Sequence, residues 1–385
     1  METLKIVPKY LFGKNAIFGL TEELKNLNYK KALILTGRSS YKANGSFDHL
    51  VTVLNDVGLD YFHFEGIEPN PKHTTIDKCI ELAISEEVDV IFALGGGSVV
   101  DASKVIAVLT KNNHYKSSWD YVLKPNNAKN KGIDVISIIT LAGTGSENNG
   151  FSVISNATTK EKKSVSNPLA TPIISIQDPS YTFSVNAWHS ASGIFDCFSH
   201  LLEQYFGKST FEWTKEYIFA NIRVLINYAK MIILRPTHYD ARANFFWTST
   251  MALNGLASFN CETDWSVHTI EHAMSGLWDI THGAGLAFIT PTYLKVRAEN
   301  EKWFNDKLIE LGRKIFRTQT VDETVNFLTD FIKSINLPVR WSEFDEIANF
   351  TDEDATFLLN HSVRFGDPNL KDVYEKVIFA LKEKK

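Results

Sequence analysis

At 385 residues the chain exceeds the usual length of one domain, and 44% hydrophobic residues are enough to build two sizeable cores. A net charge of −5, with basic residues spread along the chain rather than clustered, excludes an electrostatic footprint for nucleic acid. The opening METLKIVPKYLFGK lacks a signal-peptide apolar region, and no apolar run approaches the ~18 to 20 residues that span a bilayer, so a cytoplasmic protein without a membrane partner is expected. Cys79, Cys197 and Cys261 are far apart and form no C-x-x-C pair, which reads as reduced thiols.

Along the first half, short apolar runs alternate with amphipathic stretches, the pattern of a parallel sheet flanked by helices. Strands are predicted at 31–37, 61–67, 88–98, 134–140 and 173–179, with helices between them; Thr74 or Thr75 is a candidate N-cap for the helix that follows the second strand. Beyond about residue 186 strand-like runs nearly vanish, and helical periodicity covers 190–206, 212–234, 239–258, 265–277, 286–300, 302–316 and 321–335. The expected organisation is an α/β dinucleotide-binding domain over 1–185 and an all-helical metal and substrate domain over 186–385. No long linker or internal repeat separates them, so direct packing with a substrate cleft between is expected.

Three loops in the first half carry a phosphate signature. Gly95-Gly96-Gly97-Ser98 lies between a predicted strand and helix, where glycines let backbone amides approach phosphate oxygens. It is not the G-x-G-x-x-G fingerprint and lies on a later strand than that fingerprint does. A second loop of like character, Thr140-Leu141-Ala142-Gly143-Thr144-Gly145-Ser146, follows the next strand, and two such loops at strand ends can line one nucleotide crevice. After the first strand, Gly37-Arg38-Ser39-Ser40 has no acidic residue to bond a ribose diol and repel a 2′-phosphate. That absence favours NADP(H) over NAD(H), unless Ser39 and Ser40 simply cap the next helix.

The middle of the chain carries four candidate metal ligands: Asp196 and His200 in SGIFDCFSHLLEQYF, then His268 and His282 in WSVHTIEHAMSGLWDITHG. Asp196 and His200, four residues apart, share one helix face, and Ser190 or Ser192 is a candidate N-cap. They interrupt an otherwise apolar face, where a buried carboxylate and imidazole need each other or a cation. Cys197 adjoins Asp196 but points about 100° away on a helix. His268 and His272 repeat the four-residue spacing, and His282 follows across a turn read at Gly276 and Gly283. Three nitrogens and one carboxylate oxygen suit Zn²⁺ or Fe²⁺ better than Ca²⁺ or Mg²⁺, and spacing does not choose between zinc and iron. Phe151, Trp188, Phe259, Trp265 and Trp278 near these motifs are candidate walls of an apolar substrate pocket.

The segments GGGSVVDASK (95–104), TLAGTGSENNG (140–150), DPSYTFSV (178–185), GIFDCFSHLLEQYF (193–206) and HTIEHAMSGLWDITHGAGLA (268–287) resemble, in order and spacing, the iron-containing or group III alcohol dehydrogenase family, in its butanol dehydrogenase and broad aldehyde reductase branch. The resemblance covers essentially the whole chain. It implies an NAD(P)-linked enzyme that moves hydride reversibly between nicotinamide and short to medium aliphatic aldehydes or alcohols. It implies one iron or zinc ion held by Asp196, His200, His268 and His282, with His272 beside the metal as a catalytic proton carrier. It also implies cofactor contacts at Gly37, Ser39, Ser40, Gly95, Gly96, Gly97, Ser98, Asp101, Thr140 and Thr144, with Lys162 reaching the nicotinamide ribose in a register that neighbouring Lys160 and Lys163 leave open. A homodimer or larger assembly is expected from the family. The competing readings are a glycerol dehydrogenase-like or other polyol enzyme, a dehydroquinate synthase relative, and a metal-binding relative without turnover. Trp188-His189 and 259–267 depart most from the family pattern, which leaves substrate identity open.

Overall fold

The computed structural model describes residues 7–128 and 130–385; the first six residues, part of the stretch read for a signal sequence, and Lys129 lie outside the described residues. The chain divides into two compact units, one running to Asn186 and including Arg235–Asn254, the other made of Ala187–Leu234 and Gly255–Lys385.

The first unit is built on six parallel strands: β1 (Lys9–Phe12), β2 (Lys31–Thr36), β3 (Asp60–Glu65), β4 (Val90–Gly95), β5 (Asp134–Ile139) and, after a separate antiparallel hairpin of β6 (Phe151–Asn156) and β7 (Glu161–Ser166), β8 (Ile174–Gln177). Their order is β1-β8-β5-β4-β2-β3. Ala32–Thr36 and Val90–Gly95 are buried at every residue, which is why they read as continuous apolar runs: helices cover both faces of a parallel sheet. Ile34, Phe92, Ile136 and Ile176 meet Leu50, Val53 and Leu54 of the helix Ser46–Val57 in one core. The five strands expected from the sequence are all present, each ending where its glycine or polar turn begins. The edge strand β1 and the hairpin were not expected: β1 has 4 residues and pairs only with β8, and EKKSVS in β7 carries too little apolar alternation to separate from a loop.

Parallel β2 pairs with β3 on one side and β4 on the other, and β4 pairs with β5. Strand order therefore reverses at β2/β4, and the loops after β2, β4 and β5 emerge along one edge of the sheet, where open α/β sheets bind nucleotides. The helix Tyr239–Ala252 has the predicted periodicity but belongs to this unit. Its Thr250 accepts from Gln177 Nε2 at 3.0 Å and donates to Glu147 at 3.0 Å, contacts that periodicity does not encode.

The second unit contains the helices Ala187–Tyr205, Glu212–Leu234, Ser266–Trp278, His282–Asn300, Lys302–Leu311, Val321–Ser334, Asp352–Phe365 and Lys371–Lys382. Two starts differ from the sequence reading. The first helix begins at Ala187, so Ser190 and Ser192 lie within it rather than capping it, and the fourth begins at His282 rather than near 286. The turn before His282 rests on Asp279, at φ 56°, while Gly276 and Gly283 are both helical. Glu212–Leu234 is, by length and composition, apolar enough to cross a membrane, contrary to the reading that no run approaches that length. Lys215, Glu216, Arg223 and Lys230 break up its apolar run in sequence, and Ile218, Phe219, Ile222, Leu225 and Ile232 are buried within the unit.

Gly283 is where the helices Ala187–Tyr205 and His282–Asn300 meet backbone to backbone: a Cβ there would stand 2.0 Å from the Ser192 carbonyl oxygen. That approach holds His282 against the turn carrying Asp196. Gly283→Ala is expected to destabilise the protein by about 1–3 kcal/mol, the range for overpacking a close contact, measured by denaturant unfolding; a value indistinguishable from zero would mean that the helices separate freely.

Candidate active site

Asp196 and His200 sit one turn apart on the buried face of Ala187–Tyr205, and His268 comes from Ser266–Trp278. His200 Nε2 lies 3.3 Å from Asp196 Oδ1, and the Nε2 atoms of His268 and His282 each lie 3.7 Å from that same oxygen. Four donors about 2.0–2.2 Å from one tetrahedral cation are separated by about 3.3–3.6 Å, and the three separations to Asp196 Oδ1 lie at or just beyond that range. Among the described residues, Asp196 Oδ1 and His268 Nε2 are buried without a hydrogen-bond partner. Orphaned buried polar atoms are costly, and a divalent cation satisfies this set. Asp196, His268 and His282 group within 4.8 Å of one another, and His200 joins through Asp196, its ring stacked on His268 with centroids 4.8 Å apart.

The electrostatics point the same way. Burial opposes a charge on Asp196, yet His200, His282 and His268 hold its carboxyl well below the usual carboxylate range. Burial also works against a proton on His268, but Glu203 and Asp196 outweigh it and hold that imidazole up, at about 10. His200 goes the other way: burial pushes it down to about 4 against the pull of Asp196. Cys197 stays a neutral thiol, pushed well up by burial and by Asp196.

Two buried carboxylates absent from the sequence reading stand behind the histidines. Glu203 Oε1 lies 2.5 Å from His268 Nδ1, and Glu271 Oε2 is hydrogen-bonded to His282 Nδ1. Neither pairing had a local sequence signal: Glu203 lies three residues from His200 and Glu271 three from His268, but each carboxylate meets a histidine on another helix. His272 lies outside the Asp196 cluster; its ring stacks on His282 at 5.6 Å and meets His268 at 6.1 Å. Of the aromatic candidates, Trp265 sets its edge against His268 and His200, at 5.3 and 6.0 Å. Trp278 packs on Phe350, Phe259 on Phe211, Trp188 donates to Thr281, and Phe151 is exposed.

In the α/β unit, Gly95, Gly96 and Gly97 carry β4 into the helix Gly97–Leu109, whose first residues include Ser98. A Cβ on Gly97 would stand 2.5 Å from Thr144 Cγ2, and one on Gly96 3.3 Å from Leu141 Cβ, so the loops after β4 and β5 pack on each other. Thr140 N–H closes the junction by donating to Gly95 O at 2.9 Å. Asp101 accepts from the Ser146 hydroxyl and from Val153 N–H at 2.8 Å. Buried Lys104 donates to Ser146 Oγ at 2.7 Å, Ser146 O at 2.9 Å, Asn149 O at 3.3 Å and Phe151 O, tying that helix to the second loop. Gly37 follows β2, and Arg38, Ser39 and Ser40 are exposed; Ser39 occupies an N-cap position without making a capping hydrogen bond. Lys162 is buried on β7 opposite Ser155, whereas Lys160 lies in the exposed turn and Lys163 donates to Val122 O at 3.3 Å.

Family models cover nearly all of the chain: iron-containing alcohol dehydrogenase over residues 8–179, and the C-terminal part of the Fe-containing alcohol dehydrogenase family over 190–383. The chain belongs to the iron-containing alcohol dehydrogenase family. It is an alcohol dehydrogenase by that membership, and its six-stranded parallel sheet and helical C-terminal part match structures of the family. NADH-dependent butanol dehydrogenase A of Clostridium acetobutylicum is 39% identical over 347 residues, covering 88% of this chain and 87% of the relative. NADPH-dependent aldehyde reductase YqhD of Escherichia coli is 29% identical, with 87% of each chain covered. The crystal structure of NADH-dependent butanol dehydrogenase A from Thermotoga maritima superimposes with a TM-score of 0.90 at 29% identity, over 99% of this chain and 98% of that one.

Because His268 holds a proton up to a pKa of about 10 when no cation is bound, metal binding must expel it. Below that pKa, Zn²⁺ affinity is expected to rise about tenfold per pH unit between pH 7 and 9, with release of about one proton. Competition with a chelator at several pH values checks this, and a flat profile would contradict it. His268→Ala should lose the bound metal; full occupancy by elemental analysis would mean that the ligand set is misplaced.

Proposed function

We propose that this alcohol dehydrogenase catalyses reversible hydride transfer between C4 of NADPH and the carbonyl carbon of short to medium aliphatic aldehydes, as a butanol dehydrogenase or aldehyde reductase. The observation that carries the reading is the convergence of three imidazole Nε2 atoms on one buried carboxylate oxygen, in a chain that also has packed glycine loops at the ends of adjacent parallel strands. Relatives named for butanol and aldehyde chemistry support the substrate class.

Asp196, His200, His268 and His282 are the residues that would hold Fe²⁺ or Zn²⁺, which when bound supplies Lewis-acid polarisation of the carbonyl oxygen. Gly95, Gly96, Gly97 and Ser98, with Thr140 and Thr144 across the junction, admit the pyrophosphate to backbone amides. Asp101 holds the second loop in place through Ser146 and Val153. Lys162 reaches the nicotinamide ribose. His272, beside His268 and His282, carries the proton between the substrate oxygen and solvent. Trp265 offers an apolar wall next to the metal histidines. In this reading residues 1–185 serve the cofactor and 186–385 the metal and substrate, in a soluble cytoplasmic homodimer.

Preference for NADPH rests on Gly37-Arg38-Ser39-Ser40, exposed after β2 and without a carboxylate to repel a 2′-phosphate. Named relatives use either cofactor, so activity with both, against butanal, longer aldehydes and glycerol, is the deciding measurement. A lower KM for NADPH is expected, and Ser39→Asp should raise it about tenfold or more, ~1.4 kcal/mol of lost binding, while sparing NADH. Equal or better use of NADH by the unaltered protein overturns the preference, and no turnover of any aldehyde by metal-loaded protein overturns the function. His272→Gln should lower kcat about a hundredfold with metal content unchanged; wild-type kcat would remove it from proton transfer.

A further inference from the structure

We infer that Glu203 and Glu271 are positioning residues of the metal centre, each fixing the tautomer and direction of one histidine ligand; the inference rests on the metal reading of Asp196, His200, His268 and His282. The three ligand-bearing helices are braced in series. Glu203, on Ala187–Tyr205, serves His268 on Ser266–Trp278, and Glu271, on that second helix, serves His282 at the start of His282–Asn300.

Both carboxylates are held so that their direction is set. Glu203 Oε1 accepts from Ser199 Oγ at 2.8 Å beside His268 Nδ1, while Oε2 accepts the backbone N–H groups of Val267 and His268 at 2.9 and 3.1 Å. One oxygen thus caps the start of the helix and the other holds its imidazole. Glu271 Oε1 takes the Ser275 hydroxyl, Oε2 meets His282 Nδ1, and the side chain fits because residue 285 is glycine: a Cβ there would lie 2.9 Å from Glu271 Cγ.

An ionised carboxylate only accepts hydrogen bonds. When a cation takes the place of the Nε2 proton, the ring beside the carboxylate keeps its proton on Nδ1 and directs its Nε2 lone pair to an ion next to Asp196 Oδ1. Among the described residues His200 has no such brace, since its buried Nδ1 has no hydrogen-bond partner there. The centre is asymmetric, with two oriented histidines and one unbraced.

The test uses Glu203→Gln, Glu271→Gln and the milder Ser275→Ala, each depleted of metal and titrated with Zn²⁺ or Co²⁺ alone. Expected are near-wild-type circular dichroism of the metal-free proteins, Zn²⁺ affinity lower by about 10–100-fold in the glutamine variants, and a shifted Co²⁺ ligand-field spectrum. Ser275→Ala should move both readings in the same direction by less. Glutamate that only caps or packs would alter the melting temperature while leaving Co²⁺ spectrum and Zn²⁺ affinity as in wild type, and that result overturns the inference. If Glu203→Gln does not fold, Glu271→Gln and Ser275→Ala decide. Wild-type protein that binds neither ion would overturn the metal reading instead; wild type that binds, with His268→Ala that does not, preserves that reading whichever way the glutamine variants go.

Discussion

The candidate site of the helical unit turns on one buried oxygen, Asp196 Oδ1. An ionised carboxylate taken out of water costs several kcal/mol unless the surrounding groups replace its hydration. Here three imidazoles turn their Nε2 atoms toward it and leave it without a hydrogen bond. Imidazoles that accept protons would balance the charge at the cost of mutual repulsion; one divalent cation balances it while satisfying every donor. The helix arrangement follows from that requirement. Gly283 lets one helix lie on the Ser192 carbonyl of another, and Gly285 leaves room for Glu271 behind His282.

The α/β unit answers a different constraint, the close packing of the loops after β4 and β5. Gly96 and Gly97 meet Leu141 and Thr144 so closely that side chains on them would push the two loops apart. Lys104 reinforces the junction from inside: with burial pressing its pKa down to about 8, it is held by Ser146, Asn149 and Phe151 and faces Asp101 at 3.6 Å. The motif GGGSVVDASK is thus a glycine turn followed, one and two helical turns on, by the groups that hold the neighbouring loop.

Much of this was legible in the chain itself. Strands buried on both faces appear as unbroken apolar runs, and glycine clusters mark the sites of close approach, so the sheet and its tightly packed glycine loops could be read directly. The Asp196-His200 pair was visible because helical spacing alone places both on one face. Less visible were elements whose reason lies elsewhere in the fold. β1 exists because β8 offers an edge, and the helix Tyr239–Ala252 joins the α/β unit through Gln177 and Glu147. Glu203 and Glu271 went unread, since nothing in their sequence neighbours reveals that both are buried.

Sequence by itself determined the family, most of the strands and helices, and the candidate ligands and glycine loops, because each depends on residue types at short spacings. Tertiary structure decided which atoms converge, which histidines are braced by carboxylates and where His272 stands beside them. Those relations join residues such as Glu203 and His268, 65 positions apart. A distance of that kind is set by how helices pack, and no local spacing encodes it.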